Sequence, residues 1–173
     1  MQLIRRRHPP GTAPGTLAGV EPAKEPALMH LAEYGLETLT EAELAIPDGL
    51  PEPTAGLLRW LDVEGRDAEL VADLGKRLSV HPLALEDVIN VGQRTKSEDF
   101  DDSVFVVMDH FFFESNAGSL AKEQISLVIQ EDVLLSVRER HSDVFEPVRK
   151  RLRLGRPRIR GGGPGSLAYA LLD

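Results

Sequence analysis

Residues 103–113, Ser-Val-Phe-Val-Val-Met-Asp-His-Phe-Phe-Phe, constrain the fold of this chain more than any other stretch. Side chains alternate between the two faces of a β-strand. Val104, Val106, Met108 and Phe112 therefore point one way, and Phe105, Val107, Phe111 and Phe113 the other. Both sets are apolar, which predicts a central strand covered on two sides, as in layered α/β domains rather than one-sided sheets. Apolar runs such as 104–108 and 111–113 fall far short of the ~20 residues needed to cross a bilayer.

The remaining segments supply the cover. Glu123–Ile129 and Val133–Val137 are apolar runs joined across Gln130-Glu131-Asp132, a hairpin signal. Arg59–Val63 alternates as a strand that Gly65 ends, and short strands are expected at Ala27–Ala32 and Leu36–Leu39, followed by a one-turn helix capped by Thr40. Asp67 can cap a helix over Ala68–Leu78, where Leu70, Val71, Leu74 and Leu78 form a stripe at helical spacing. Ser79-Val80-His81 breaks it, and Pro82 can open a second helix over Leu83–Asn90, since a first helical position needs no N–H donor.

Ser142 or Asp143 is expected to cap a helix to about Leu154 that Gly155 stops, with Arg156–Gly165 a basic, glycine-rich loop. Ser166–Asp173 reads as a helix that begins without a terminating residue. The first 26 residues hold five prolines and read as a mobile arm, with a short strand at Thr16–Val20. The expected organisation is arm 1–26, an α/β domain over 27–165 and the start of a truncated helix over 166–173. Its core is a mixed central sheet of six or seven strands sandwiched by helices.

Charge is unevenly placed. Residues 138–160 hold nine basic and three acidic residues, a net +6, whereas the remainder holds 11 basic and 25 acidic, a net −14. Such polarity implies internal pairing or a neighbour carrying the opposite patch, and an overall −8 argues against nucleic acid as a bulk partner. The absence of cysteine excludes thiolate metal sites and cysteine nucleophiles. Gly161–Gly165 lacks the Gly-Lys-Ser/Thr ending of a phosphate loop and reads as a flexible connection. No nucleophile–base spacing points to a hydrolytic enzyme. His81 reads as a cap or packing residue, and His110 as a satisfied imidazole in its strand.

The acidic pairs Glu86-Asp87, Glu98-Asp99 and Asp101-Asp102 carry the candidate chemistry, because hard divalent cations prefer oxygen ligands. Adjacent helical residues point about 100° apart, so Glu86 and Asp87 cannot readily chelate one ion alone. On spacing, a solvated acidic turn is the default reading, and a site would need a carboxylate from another element or another subunit.

Several motifs occur together and in order. They are His81-Pro-Leu-Ala-Leu-Glu-Asp-Val-Ile-Asn, Gln93-Arg-Thr-Lys96, Phe100-Asp-Asp before the apolar strand, Glu123-Gln-Ile-Ser-Leu, Asp143-Val-Phe-Glu-Pro-Val-Arg-Lys-Arg and Leu167-Ala-Tyr-Ala-Leu-Leu-Asp173. Over residues 56–173, with a weaker match at Pro14–Leu17, they resemble the CorA family of magnesium transport proteins. The resemblance implies a cytoplasmic regulatory domain of a divalent-cation transporter, not an enzyme, at the cytoplasmic face of the cell (inner) membrane. A long stalk helix and two membrane helices would follow, assembled as a homopentamer, and the fragment by itself would be soluble. It also implies that Mg²⁺, with Co²⁺ or Ni²⁺ as possible further cargo, is sensed at carboxylates between subunits whose filling favours the closed state. By motif match Glu86 and Asp87 hold those sensing positions and Asp173 another acidic position near the stalk. The pore signature Gly-Met-Asn is absent from this chain. Two alternatives are the same domain of a zinc-transporting relative, and a free-standing interaction module using the basic 138–160 segment.

Overall fold

A computed structural model describes residues 26–44, 50–65, 67–114 and 118–173. The expected arm, apart from its last residue, the strand at Thr16–Val20 and the weak match at Pro14–Leu17 lie outside the described residues. Among the described residues, seven strands form one sheet: β1 (Leu28–Tyr34), β2 (Leu39–Leu44), β3 (Leu58–Glu64), β4 (Lys96–Phe100), β5 (Ser103–Glu114), β6 (Ser119–Ile129) and β7 (Val133–Arg138). Their order is β2-β1-β3-β7-β6-β5-β4. Only β3 and β7 run parallel; every other neighbouring pair is antiparallel.

Among the described residues, five helices cover the sheet: α1 (Ala68–Arg77), α2 (Pro82–Ile89), α3 (Glu146–Arg153), α4 (Pro157–Arg160) and α5 (Gly163–Leu172). Strand parity sorts the core into two clusters. Leu61, Val63, Phe105, Val107, Leu135 and Val137 pack beneath Leu70, Val71 and Leu74 of α1 and Ala84, Leu85 and Val88 of α2. Trp60, Ile125, Leu127 and Leu134 meet Val148 and Leu152 of α3, Ile159 of α4 and Leu167, Ala168 and Leu171 of α5. The result is a helix–sheet–helix sandwich, as the apolar patterning implies.

The truly central strands are β3 and β7, buried along nearly their whole length. β5, the expected central strand, is instead second from the edge, and only its first half is covered: Phe105 and Val107 are buried, whereas Phe111 and Phe113 are 58% and 66% exposed. Two neighbours run out early. β4 pairs with Ser103–Val107 alone, and β7 pairs with β6 only from Ile125 onward, so the distal β5–β6 hairpin projects beyond the sheet. Strand periodicity reports which residues share a face but not how far the neighbouring strands extend.

Other boundaries move for local reasons. The expected one-turn helix after Thr40 is part of β2, whose residues pair with β1 through Met29↔Leu44 to Tyr34↔Leu39; pairing across a tight connection overrides the helical preference. Leu36 lies in that connection rather than in a strand. α3 starts at Glu146 with Phe145 at its N-cap, because Asp143 opens a preceding turn in which Glu146 N donates to Asp143 O, and Ser142 lies before that turn. Gly162 rather than Ser166 precedes the last helix, so the glycine-rich stretch forms its first turn. Asp67 does cap α1, accepting from Leu70 N, and α1 ends at Arg77, two residues before Ser79, whose positive φ of 53° is left-handed.

Part of the basic segment is neutralised by acidic residues of the same chain. Asp62, fully buried, accepts from Arg138, Arg149 and Ser136 Oγ, and Arg138 also pairs with Glu64. Arg153 bonds Glu41 and Glu146, and Arg160 donates to Leu152 O. Glu41, Glu64, Arg138, Glu146, Arg149 and Arg153 among them line a cleft of about 610 Å³ on the α3 side of the carboxyl ends of β3 and β7. The polarity read from the sequence is thus in part internal pairing.

Candidate metal centre

α2 presents the two adjacent carboxylates, and local chemistry fixes where it starts. His81 occupies its N-cap and accepts from Leu83 N through Nδ1 at 3.3 Å, and its ring stacks on Phe100 with centroids 4.3 Å apart. Pro82 follows at the first helical position. Ala84, Leu85, Val88 and Ile89 turn inward, leaving Glu86 and Asp87 on the outer side, half-buried.

The C-terminal end of α2 is pinned by Gln124, which is 4% exposed on β6. Its Oε1 accepts from Gly92 N and Gln93 N at 2.9 and 3.0 Å, and its Nε2 donates to Asp87 O at 3.0 Å and Ser126 Oγ at 3.1 Å. One buried amide therefore holds the backbone of Asp87 and the turn that carries the chain to β4. Gln124 N in turn donates to Glu139 Oε1.

β4 brings the cation. Lys96 and Glu98 are two residues apart and share the strand face opposite Val107 and Phe105, the face that α2 covers. Lys96 Nζ lies 2.6 Å from Asp87 Oδ2 and 2.9 Å from Glu98 Oε1, so one ammonium bridges two carboxylates. Partial burial opposes the charge on Lys96, but the hydrogen bonds and charges of Asp87 and Glu98 outweigh it and hold the ammonium above the usual lysine range. Asp101 and Asp102 form the two-residue turn between β4 and β5, a solvated acidic turn as the sequence suggests.

Asp173 lies at the end of α5, exposed, with its N–H donating to Tyr169 O. α5 covers the sheet face opposite α2, so Glu86 and Asp87 are brought together while Asp173 is not. Among the described residues, no group of three or more His, Asp or Glu side chains is arranged to hold a metal ion. The donor chemistry still suits a hard cation: carboxylate oxygens at a partly exposed surface, one of them already holding a positive charge. His110, by contrast, is held by Glu123 at 3.2 Å within the hairpin.

Lys96 and Gln124 are the two residues whose roles sequence reasoning did not assign, although both stand in the motifs quoted above. The i, i+2 spacing of Lys96 and Glu98 places them on one face only once β4 is known to be a strand.

A family model described as CorA-like Mg²⁺ transporter protein matches residues 56–173, which include every element of this site. The chain belongs to the CorA family. It is 33% identical over 165 residues, 94% of its length, to the cobalt/magnesium transport protein CorA of Thermotoga maritima, of which it covers 47%. It is 28% identical over 114 residues to the putative metal ion transporter YfjQ of Bacillus subtilis, covering 66% of this chain and 34% of that protein. The chain thus spans about half the length, or less, of these CorA-type relatives. The CorA fold extends to solved structures: the soluble domain of CorA from Methanocaldococcus jannaschii superposes with a TM-score of 0.59 at 17% identity, covering 82% of this chain and 54% of that one. The full-length CmaX protein gives 0.66 at 14% identity, covering 87% of this chain and 46% of that one. Among the described residues, no helix is long and apolar enough to cross a membrane.

Proposed function

We infer that this chain is the cytoplasmic, cation-sensing domain of a CorA-type divalent-cation transporter, without catalytic activity of its own. Glu86 and Asp87 of one copy, and Asp173 near the continuation of α5, act as the sensing carboxylates at boundaries between copies in a homopentamer. The observation that carries this reading is the Asp87–Lys96 contact: a rigidly placed surface carboxylate holds a cation, and its own chain encloses it only in part. An incomplete set of oxygen donors is what a site finished by a second copy and by retained waters requires, and Mg²⁺ keeps several waters.

Carboxylates gathered at a subunit boundary repel one another when empty and are bridged when a dication sits between them. Binding that exists only in the closed arrangement shifts the population toward it. Mg²⁺ is the regulatory ligand and, with Co²⁺ or Ni²⁺, the transported ion. A zinc-transporting relative is the second reading; a likeness to the cytoplasmic domain of ZntB from Vibrio parahaemolyticus, TM-score 0.53 at 14% identity over 73% of this chain and 50% of that one, supports the shared fold alone.

The test is uptake by the full-length protein in vesicles, with Mg²⁺, Co²⁺, Ni²⁺ and Zn²⁺ compared as cargo and internal Mg²⁺ varied. Glu86→Ala combined with Asp87→Ala is expected to weaken closure by Mg²⁺. Unchanged Mg²⁺ inhibition in the double variant would refute the sensing role.

A further inference from the structure

The cation already at Asp87 has a consequence for any ion that arrives there. Lys96 Nζ is within hydrogen-bond distance of Asp87 Oδ2 and Glu98 Oε1 at once. The ammonium also lies 5.9 Å from the centroid of the Phe105 ring, so its position is set by the sheet beneath as well as by the two acids. Side chains of Asp87, Lys96 and Glu98 are 19%, 28% and 41% exposed. Water and ions can therefore reach the cluster from outside, with Glu98 the outermost member.

A dication approaching Asp87 meets a positive charge 2.6 Å from the oxygen it needs, and two cations held on one carboxylate in this partly buried place repel by more than they would in bulk solvent. Lys96 and the dication thus exclude one another at Oδ2. Lys96 and Glu98 share one face of β4, so an ammonium released from Asp87 keeps a partner without any backbone movement. Because Lys96 is tethered, its effective concentration at Asp87 does not fall when external ions are scarce.

Resting on the sensing role above, we propose that Lys96 is a built-in competitor for the divalent cation. It occupies Asp87 when the ion is scarce, moves onto Glu98 when the ion binds, and so sets the concentration at which the site fills. The device favours an abundant, doubly charged ion, because a monovalent ion offers no electrostatic advantage over the resident ammonium. Lys96 is a specificity-determining residue in this account and Glu98 is its alternative seat.

The two residues make opposite predictions. Removing the competitor should therefore lower the half-saturating Mg²⁺ concentration by about 1.5-fold to fivefold, the range that a partly exposed ion pair gives on conversion. Removing the seat, Glu98→Gln, should raise it, since the displaced ammonium would lose its partner.

The experiment follows protection of the full-length protein from limited proteolysis across a Mg²⁺ series. Lys96→Gln, Lys96→Met, Lys96→Arg, Glu98→Gln and Asp87→Asn are compared, with melting in chelator as the folding control. The expected result is a lower midpoint in both neutral Lys96 variants, a near-parental one in Lys96→Arg, a higher one in Glu98→Gln and no Mg²⁺ response through this site in Asp87→Asn. If Asp87→Asn abolishes the response while the neutral Lys96 variants leave the midpoint unchanged or raise it, the competitor role is overturned and the sensing role stands. If Asp87→Asn leaves the midpoint untouched, the sensing role fails and the competitor role with it. A structural role for Lys96 alone would weaken the response in every neutral variant, opposite to the expected direction.

Discussion

Gln124→Ala is the substitution whose outcome most directly tests how the candidate site is held. The amide makes four side-chain hydrogen bonds: to Gly92 N, Gln93 N, Asp87 O and Ser126 Oγ. A typical intramolecular hydrogen bond contributes about 0.5–1.5 kcal/mol net, and a buried partner left unpaired costs more than one that finds water. Gly92 is exposed and Gln93 half-buried, so their N–H groups can turn to solvent, whereas Ser126 is 2% exposed. The truncation also leaves a small void beneath α2. Together these give an expected loss of about 2–4 kcal/mol, a large share of the roughly 5–15 kcal/mol that keeps a domain folded. Urea unfolding should show a lower midpoint at unchanged slope. Amide exchange at Gly92 and Gln93 should speed up. Gln124→Glu sets a buried carboxylate oxygen against Asp87 O and should be at least as destabilised as Gln124→Ala. A loss below about 0.5 kcal/mol with unaltered exchange at Gly92 and Gln93 would refute the clamp, since it would mean that these bonds contribute nothing net.

Asp62→Ala should cost about 3–5 kcal/mol in the same assay, because it strands the buried guanidiniums of Arg138 and Arg149; a loss under about 1 kcal/mol would show that water or Glu64 replaces the carboxylate. Burial pushes the Glu64 carboxyl up, yet hydrogen bonds from His30 and Arg138 and the charge of Arg138 prevail and bring it to about 2. A carboxyl lowered on folding stabilises the native state above its unfolded value near 4.5, and that stability is lost as pH falls from there toward about 2. Partial exposure to solvent screens the effect to about 1–2 kcal/mol, so acid unfolding of Glu64→Gln should lose its slope across this window relative to the parent, and an identical pH profile would contradict the assignment.

The elements legible in the sequence are those with a one-dimensional signature. Asp67 announces α1 because an N-cap acts three residues away, and Pro82 announces α2 because its ring suits a first helical position. The 123–129/133–137 hairpin follows from apolar runs and a short polar turn, and strand parity sorted Val106 from Phe105 onto opposite faces as observed. The order of motifs, likewise a property of the sequence alone, pointed to the family.

Long-range pairing decided the rest. β4 is too short and too charged to signal itself, and it exists because Lys96–Phe100 completes the edge of β5. That pairing carries Lys96 and Glu98 under α2, from which Asp87 reaches across nine residues of sequence to form the three-membered charge cluster. Gln124 meets Asp87 from 37 residues away only because β6 lies beside β5 in the sheet. Residue types and short spacings reveal which carboxylates exist and which face of a helix they share. Which cation already sits on one of them, and that Asp173 lies on the opposite face of the sheet, depends on which strands become neighbours, and strand pairing is set by packing between segments far apart along the chain.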